Sequence, residues 1–180
     1  MLFSAQLIET VAGFLETHRV PLVVDPVMVA SSGARLLQED AVRTYVERLF
    51  PLATVVTPNR PEAEVLAGGP GSPRELAERI HELGAPAVVV TGGHGDQNAD
   101  LLFDGERHVD IQVERVEQPT THGAGCTHSA TLAAYLAREA SLEEAARAAA
   151  GAASAAVRRG LVDVGAGEGP VDVLGVRERA

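Results

Sequence analysis

Apolar residues recur every three or four positions in several stretches, the pattern of helices that bury one face. The clearest stretch covers residues 5–17 and follows Ser4, a residue type that caps helix N-termini. A second capping signal is the pair Ser141 and Glu144, which begins an alanine-rich helix extending to about residue 159. The same spacing predicts helices over residues 40–50, 74–83 and 125–139, and a short helix that starts at Pro61.

Short apolar runs between these helices have the length and composition of buried strands. They cover residues 22–25, 53–56 and 87–91, and residues 101–103 and 108–113 predict a hairpin joined through Asp104-Gly105. Alternating strands and helices predict an α/β fold, a three-layer αβα sandwich around a mostly parallel central sheet. Because the chain opens on a helix, we expect N-terminal strands to be missing from one edge of this sheet.

Composition narrows the class of protein further. The 180 residues suit a single domain over 1–180, whose core must consist of Ala, Val and Leu because aromatic residues make up only 3% and Trp is absent. The net charge of −10 argues against nucleic acid or an anionic membrane as a partner. A single Cys leaves no internal disulfide, and no signal peptide or membrane-length apolar run is visible. We therefore expect a cytoplasmic α/β protein.

The stretch at residues 120–131 combines two glycines, Gly123 and Gly125, with the one cysteine of the chain, Cys126, directly before an alanine-rich helix. A tight loop that opens into a helix N-terminus directs free backbone N–H groups and the positive end of the helix dipole at one point. This geometry favours a phosphate or a developing oxyanion. A glycine-rich turn that only starts a helix fits the stretch equally well, because short glycine motifs produce many false matches.

Polar residues also follow each of the three predicted parallel strands. Asp25 ends the first strand, Asn59 and Glu62 follow the second, and Thr91-Gly92-Gly93 follow the third. Taken singly, each has a structural explanation, such as capping a helix or forming a turn. Ligands bind at the carboxyl edge of open α/β sheets, where all of these residues and the glycine loop are expected to converge. Two carboxylates beside an anion-binding loop are what Mg²⁺-assisted phosphoryl transfer requires.

Four motifs, in order and at matching spacing, resemble those of the hydroxymethylpyrimidine/phosphomethylpyrimidine kinases of thiamine biosynthesis, which belong to the ribokinase-like superfamily. They are Asp25-Pro26-Val27-Met28, Thr57-Pro58-Asn59 with Pro61-Glu62, Gly92-Gly93-His94, and the segment from Thr121 to Thr127. The glycine-rich segment at residues 164–170 also resembles the C-terminal signature of that family. The resemblance extends from Met1 to about Val173, and the motifs are specific as a set.

The resemblance implies a role for each matching residue. Gly123, Ala124, Gly125 and Cys126 would form the anion hole for the transferred phosphoryl group, with Cys126 as the base. A helix N-terminus lowers the pKa of a cysteine, so a partial thiolate could accept the proton of the hydroxymethyl group of the substrate.

The resemblance also implies the binding residues and ligands. Asn59, Glu62 and Asp25 would serve Mg²⁺ and phosphate, with Glu62 acting through water and Asp25 assisting near the same metal. Thr91, Gly92 and Gly93 would lie beside the phosphates of ATP, and Val27 and Met1 would contact the pyrimidine. The resemblance further implies a homodimer.

Two departures from the family pattern affect these expectations. The family usually has lysine at the position of Thr91, so one positive contact to ATP is missing. Family members also carry about a further third of a chain before the point that matches Met1, so this chain looks like the C-terminal two-thirds of such a kinase. Two alternatives therefore stand beside a pyrimidine kinase: a pyridoxal-type vitamin B6 kinase, and a non-catalytic nucleotide-binding fragment.

Overall fold

Polar capping residues mark where the helices begin. In the computed structural model, which describes residues 2–28, 37, 39–92, 98–114 and 116–176, four helices start directly after a side-chain cap. The oxygen of each cap accepts the N–H of the residue three positions later, because the first turn of a helix leaves such donors without partners. The four helices are α1 (Ala5–Thr17) after Ser4, α3 (Arg60–Leu66) after Asn59, α4 (Pro73–Glu82) after Ser72, and α6 (Leu142–Arg158) after Ser141.

The sequence predicts one helix over residues 40–50, and the structure differs there. Helix α2 (Glu39–Thr44) continues as a π-helical segment, Tyr45–Leu49, and then as a 3₁₀ turn, Phe50–Leu52. The Phe50 N–H bonds to the Tyr45 carbonyl, five residues back, which is the π-helical pattern. Pro51 cannot donate a backbone hydrogen bond, so the segment cannot continue as a regular helix. Tyr45, Leu49 and Phe50 are all buried.

The five predicted strands form one mixed sheet in the order β1-β2-β3-β4-β5. Strands β1 (Val23–Val24), β2 (Val55–Val56) and β3 (Val88–Val90) are parallel, whereas β4 (Ala99–Phe103) runs antiparallel to β3. Strand β5 (His108–Gln112) is hydrogen-bonded to β4, as the predicted hairpin requires. The expected α/β fold is confirmed, with a parallel half and an antiparallel hairpin.

Both faces of the parallel strands are buried. Val56, Val88 and Val90 belong to a core cluster that includes Ile8 and Ala12 of α1 together with residues of α3 and α4. Side chains alternate between the faces of a strand, so the opposite face carries Val55, Val89 and Leu102. These three are also fully buried. Burial on both faces explains why the strands read as continuous apolar runs in the sequence.

The described chain forms two compact units. The first contains the residues up to Gly92 and Leu101–Asp110, and the second contains residues 98–100 and those from Ile111 onward. In the second unit, α5 (Ala124–Leu136) and α6 pack against each other. The buried face of α6 is mostly alanine, which allows two helix backbones to approach closely. A single domain over 1–180 stays a prediction.

Within the described ranges, no helix combines the length and apolar character needed to cross a bilayer.

A buried histidine lies on α5 in the second unit. His128 is 4% exposed, and its Nε2 lies 3.9 Å from Oδ2 of Asp100, which is also buried. Among the described residues, neither ring nitrogen of His128 has a hydrogen-bond partner. Burial disfavours the charged imidazolium and lowers the pKa of His128 to about 4. The folded protein therefore holds this histidine neutral.

We expect His128 to make the fold sensitive to acid. Its pKa is lower in the folded chain than in the unfolded chain, so the unfolded chain binds more protons as the pH falls from about 6.5 to about 4. The contribution of neutral His128 to the free energy of unfolding is therefore fully present above that pH range and is lost as the pH falls through it. The free energy of unfolding, measured with urea, should fall by on the order of 2 kcal/mol more in wild type than in His128→Leu between about pH 7 and pH 4.5.

The same substitution at the exposed His18 controls for the loss of an imidazole. Parallel pH profiles for wild type and His128→Leu would show that His128 does not contribute to the acid response.

Candidate active site

In the first unit, the ends of the three parallel strands place the predicted site residues along one edge of the sheet. Asp25 follows β1, Asn59 lies three residues beyond β2, and Thr91 follows β3 directly. Asn59 and Thr91 form a parallel bridge, and the Thr91 N–H donates to the Pro58 carbonyl at 2.9 Å. The structure thus brings the residues of the second and third strand ends together, as the strand order predicted.

Glu62 is fixed by backbone donors from two separate segments. Its Oε2 accepts the Asn59 N–H at 2.9 Å, while the Asn59 side chain accepts the Glu62 N–H at 2.9 Å, which forms a capping box. Its Oε1 accepts the Met28 N–H at 3.3 Å. The expectation that Asn59 and Glu62 cap a helix is confirmed, but the contact with Met28 goes beyond capping. It joins the loop after β1 to the start of α3.

Burial and a neighbouring charge act on this carboxylate together. Glu62 is 6% exposed, and burial raises its pKa to about 6, with the negative charge of Asp25 adding to the rise. The backbone hydrogen bonds from Asn59 and Met28 oppose the change and lower the pKa. Asp25 and Glu62 are therefore close enough for each to sense the charge of the other.

Tyr45 is a third member of this group, and our sequence reasoning missed it. Burial raises the pKa of Tyr45 to about 12, and the charges of Asp25 and Glu62 add to the rise. The charges of both carboxylates therefore act on the Tyr45 hydroxyl, although Tyr45 lies on a different helical segment. The signal available in the sequence was weak: Tyr45 is one of only two tyrosines, and it stands among inward-facing apolar positions.

The oxygen ligands of this group fit a magnesium ion. Mg²⁺ is commonly bound through one or two carboxylates plus substrate phosphates and water, and does not need a complete protein cage. In the described part of the chain, no group of three or more His, Cys, Asp or Glu side chains could hold a metal by itself. Asp25 and Glu62 form a pair of hard oxygen donors, and their mutual repulsion would be relieved by a cation between them.

Two further predicted residues of the first unit, Val27 and Gly92, are described. Val27 is half-buried, and its N–H donates to the Asp25 carbonyl at 3.0 Å, which forms a tight turn. Gly92 is exposed with φ of 100°. Met1 and Gly93 lie outside the described residues. The roles expected for these residues stay predictions.

In the second unit, α5 begins in a way that differs from the capped helices. Its N-cap is Gly123, with φ of 94°, a left-handed conformation that favours glycine. All residues of this first turn are described, and none supplies a side-chain cap. The Ala124 N–H donates to the Thr121 carbonyl at 3.0 Å. The N–H groups of Gly125 and Cys126 occupy the first-turn positions that need partners from outside the helix.

Gly125 adjoins open space. A Cβ built at this position would have no described atom within 4 Å, and both Gly125 and Cys126 are exposed. Alanine would therefore fit the folded chain and would be the better helix former. Packing does not explain a glycine here, whereas a ligand that approaches the backbone closely would explain it.

The first turn of α5 is held by hydroxyl groups. Both the N–H and the side-chain hydroxyl of Thr127 donate to the Gly123 carbonyl, at 2.9 and 2.8 Å. Ser129 Oγ donates to the Gly125 carbonyl at 3.0 Å. The hydroxyls thus face the helix carbonyls and leave the open amide end to a ligand. The open start of α5 has the form expected of an anion-binding loop. Anion binding here, and its convergence with Asp25 and Glu62, stay predictions.

Comparisons with known proteins test the family resemblance that the motifs indicated. The family model for phosphomethylpyrimidine kinase matches residues 1–172. The chain is 43% identical, over 95% of its length, to the hydroxymethylpyrimidine/phosphomethylpyrimidine kinase of Rhizobium meliloti, and 46% identical, over 96%, to the thiamine biosynthesis bifunctional protein ThiED of Geobacter sulfurreducens. It spans 67% of the first relative and 36% of the second.

The fold matches a solved kinase as well. The pyridoxal kinase of Bacillus subtilis, solved as an ADP complex, superposes with a TM-score of 0.87 at 36% identity. The match covers 98% of this chain and 69% of that one. Both kinds of comparison agree with the resemblance that the motifs indicated. This chain therefore belongs to the phosphomethylpyrimidine kinase family and has its ribokinase-like α/β fold.

Proposed function

We propose that this chain acts as an ATP-dependent kinase that phosphorylates a hydroxymethylpyrimidine and then its monophosphate. The observation that carries this proposal is the uncapped, open start of α5 at Gly123–Cys126, which presents backbone donors and a thiol at one place. The names of the relatives support the substrate, and the ADP complex of the structural neighbour supports the nucleotide.

Within the first turn of α5, a side chain would transfer the proton and backbone N–H groups would stabilise the phosphoryl charge. Cys126, as thiolate, would accept the proton of the hydroxymethyl group, whose oxygen then attacks the terminal phosphorus of ATP and releases ADP. The N–H groups of Gly125 and Cys126 would donate to the transferred phosphoryl oxygens. Gly123 sets the turn, and Ala124, whose N–H is already bound to Thr121, holds it.

The residues after the parallel strands would bind the metal and the remaining parts of both substrates. Asp25, Asn59 and Glu62 would hold Mg²⁺, which neutralises phosphate charge when bound. Thr91, Gly92 and Gly93 would lie beside the nucleotide phosphates, and Val27 with Met1 would contact the pyrimidine. Thr91 carries no positive charge, and both its N–H and its hydroxyl donate to the Pro58 carbonyl, so this position would lie beside ATP without a charged contact. A cytoplasmic location, a homodimer and the lack of a nucleic-acid partner are parts of the same proposal.

A second candidate is pyridoxal kinase activity. It is favoured by the match to a pyridoxal kinase at a TM-score of 0.87 and 36% identity. Pyridoxal is also a hydroxymethylated heteroaromatic ring, so the same base and anion hole could serve it. The two candidates differ in the ring contacts and share the phosphoryl-transfer chemistry.

A coupled assay of ADP release separates these candidates. With MgATP, we expect turnover of hydroxymethylpyrimidine and of its monophosphate, with a kcat/KM at least about tenfold above that for pyridoxal. Turnover of pyridoxal alone would replace the first proposal by the second. Binding of MgATP by calorimetry without turnover of either ring would assign the chain to the non-catalytic alternative.

Replacing the proposed base should separate chemistry from binding. We expect Cys126→Ala to lower kcat on the order of 100-fold or more, because a general base contributes a factor of that size. The Kd for the ATP analogue AMP-PNP should change by less than about twofold, since the side chain acts on the other substrate. Tyr135→Ala, at an exposed position of the same helix, serves as the control. An unchanged kcat in Cys126→Ala would remove Cys126 from the mechanism.

Gly125→Ala tests the open space at the start of α5. Because no described atom lies within 4 Å of the new Cβ and alanine favours the helix, thermal unfolding should occur at an equal or higher temperature than in wild type. The methyl group would occupy the space proposed for phosphate, so kcat should fall by about tenfold or more. Gly151→Ala, inside α6 with equally open surroundings, is the matched control and should keep full activity. Full activity of Gly125→Ala would show that no ligand approaches this backbone.

A further inference from the structure

Thr120 is a fully buried polar residue in the segment that leads to the proposed anion hole. It lies three residues before Gly123, and its exposure is 0%, whereas its neighbours Thr121 and His122 are exposed. A buried hydroxyl needs a hydrogen-bond partner. Oγ1 of Thr120 donates to the carbonyl of Val157, in the last turn of α6, at 2.9 Å.

Two glycines make room for this side chain. A Cβ at Gly160 would lie 2.2 Å from both Cβ and Oγ1 of Thr120, which no pair of atoms tolerates. A Cβ at Gly169 would lie 2.9 Å from the methyl carbon of Thr120. The side chain therefore packs directly against the backbone of two glycines, one just after α6 and one in the C-terminal segment. These two contacts and the hydrogen bond to Val157 together fix its position.

The backbone on either side of Thr120 is bonded to that C-terminal segment. The Gly169 N–H donates to the Pro119 carbonyl at 2.8 Å, and the His122 N–H donates to the Gly169 carbonyl at 3.3 Å. The Val171 N–H donates to the His122 carbonyl at 3.0 Å. These bonds hold residues 119–122 against residues 169–171, and Thr120 lies at the centre of the contact.

The hydroxyl of Thr120 is not needed to complete α6. The Val157 carbonyl also accepts the Gly160 N–H at 3.0 Å and an N–H from Arg159, so it keeps partners if the hydroxyl is lost. Valine has nearly the shape of threonine and would fill the same space. The hydrogen bond therefore contributes little that helix capping or packing requires. It does join the segment before Gly123 to the last turn of α6.

We propose that Thr120 is a positioning residue for phosphoryl transfer: its hydroxyl anchors the segment before Gly123 to the end of α6 and so aims the N–H groups of Gly125 and Cys126. This inference rests on the proposed kinase function. Thr120 would touch no substrate, and it would act by setting the position of the N–H groups that bind the anion.

The test compares three variants in the full chain. Thr120→Val removes the hydroxyl and keeps the shape, and Thr120→Ser keeps the hydroxyl. Thr54→Val removes a hydroxyl that accepts the Leu22 N–H at 3.0 Å, in the first unit and outside the proposed site. For each protein, kcat and KM are measured with hydroxymethylpyrimidine and MgATP, together with the thermal unfolding temperature. Amide ¹⁵N relaxation of Gly123, Gly125 and Cys126 reports the order of the loop without any substrate.

We expect opposite effects from the two valine variants. Thr120→Val should lower kcat by about tenfold with KM within about twofold and with nearly unchanged unfolding temperature, since misplaced catalytic donors lower the rate without weakening binding. Thr120→Ser should recover most of kcat. Thr54→Val should unfold at a lower temperature and keep its kcat. The order parameters of the three amides should fall in Thr120→Val and recover in Thr120→Ser.

Wild-type kcat and loop order in Thr120→Val would overturn the inference, as would a kcat that simply follows the unfolding temperature across the three variants. If wild type phosphorylates neither hydroxymethylpyrimidine nor pyridoxal, the proposed function fails by itself. The relaxation data then still decide whether Thr120 orders the loop, and unchanged order parameters would reject its role.

Discussion

A helix begins with N–H groups that have no partner inside the helix, and the way this chain satisfies them organises the structure. At α1, α3, α4 and α6 a polar side chain takes one of these donors, so the helix start is complete within the protein. At α5 the cap is a glycine in a left-handed conformation, and the turn opens onto free space beside Gly125. The same physical requirement is thus met inside the protein at these four helices, whereas at α5 it leaves first-turn donors for the proposed anion.

The start of α3 shows that capping and chemistry can share residues. Asn59 and Glu62 satisfy each other's backbone groups, which alone would explain their spacing. The second oxygen of Glu62, however, reaches Met28, and burial beside Asp25 raises its pKa to about 6. Burying a charged carboxylate removes its hydration, which is unfavourable, and a bound cation would offset that loss. The capping box holds the carboxylate in place, and its electrostatic surroundings suit it to a metal.

Much of this could be predicted from local sequence. Ser4 and Ser141 marked two helix starts that the structure confirms, because capping depends on residues only three positions apart. The valine-rich runs predicted the three parallel strands, although each strand is two residues shorter than its predicted run. The order of the motifs identified the family, which the comparisons confirm. The surroundings of Tyr45 and Thr120 could not be predicted, because neither a buried aromatic nor a threonine in a loop differs locally from many others.

What the sequence determined by itself was therefore whatever depends on neighbouring residues: the helix caps, the apolar strand runs, and the glycines and cysteine that start α5. The tertiary structure decided which of these groups are buried and what they meet. Glu62 is joined to Met28 across 34 positions, and Thr120 to Val157 across 37. Such contacts depend on the path of the whole chain, because burial and long-range hydrogen bonds exist only after distant segments have packed together.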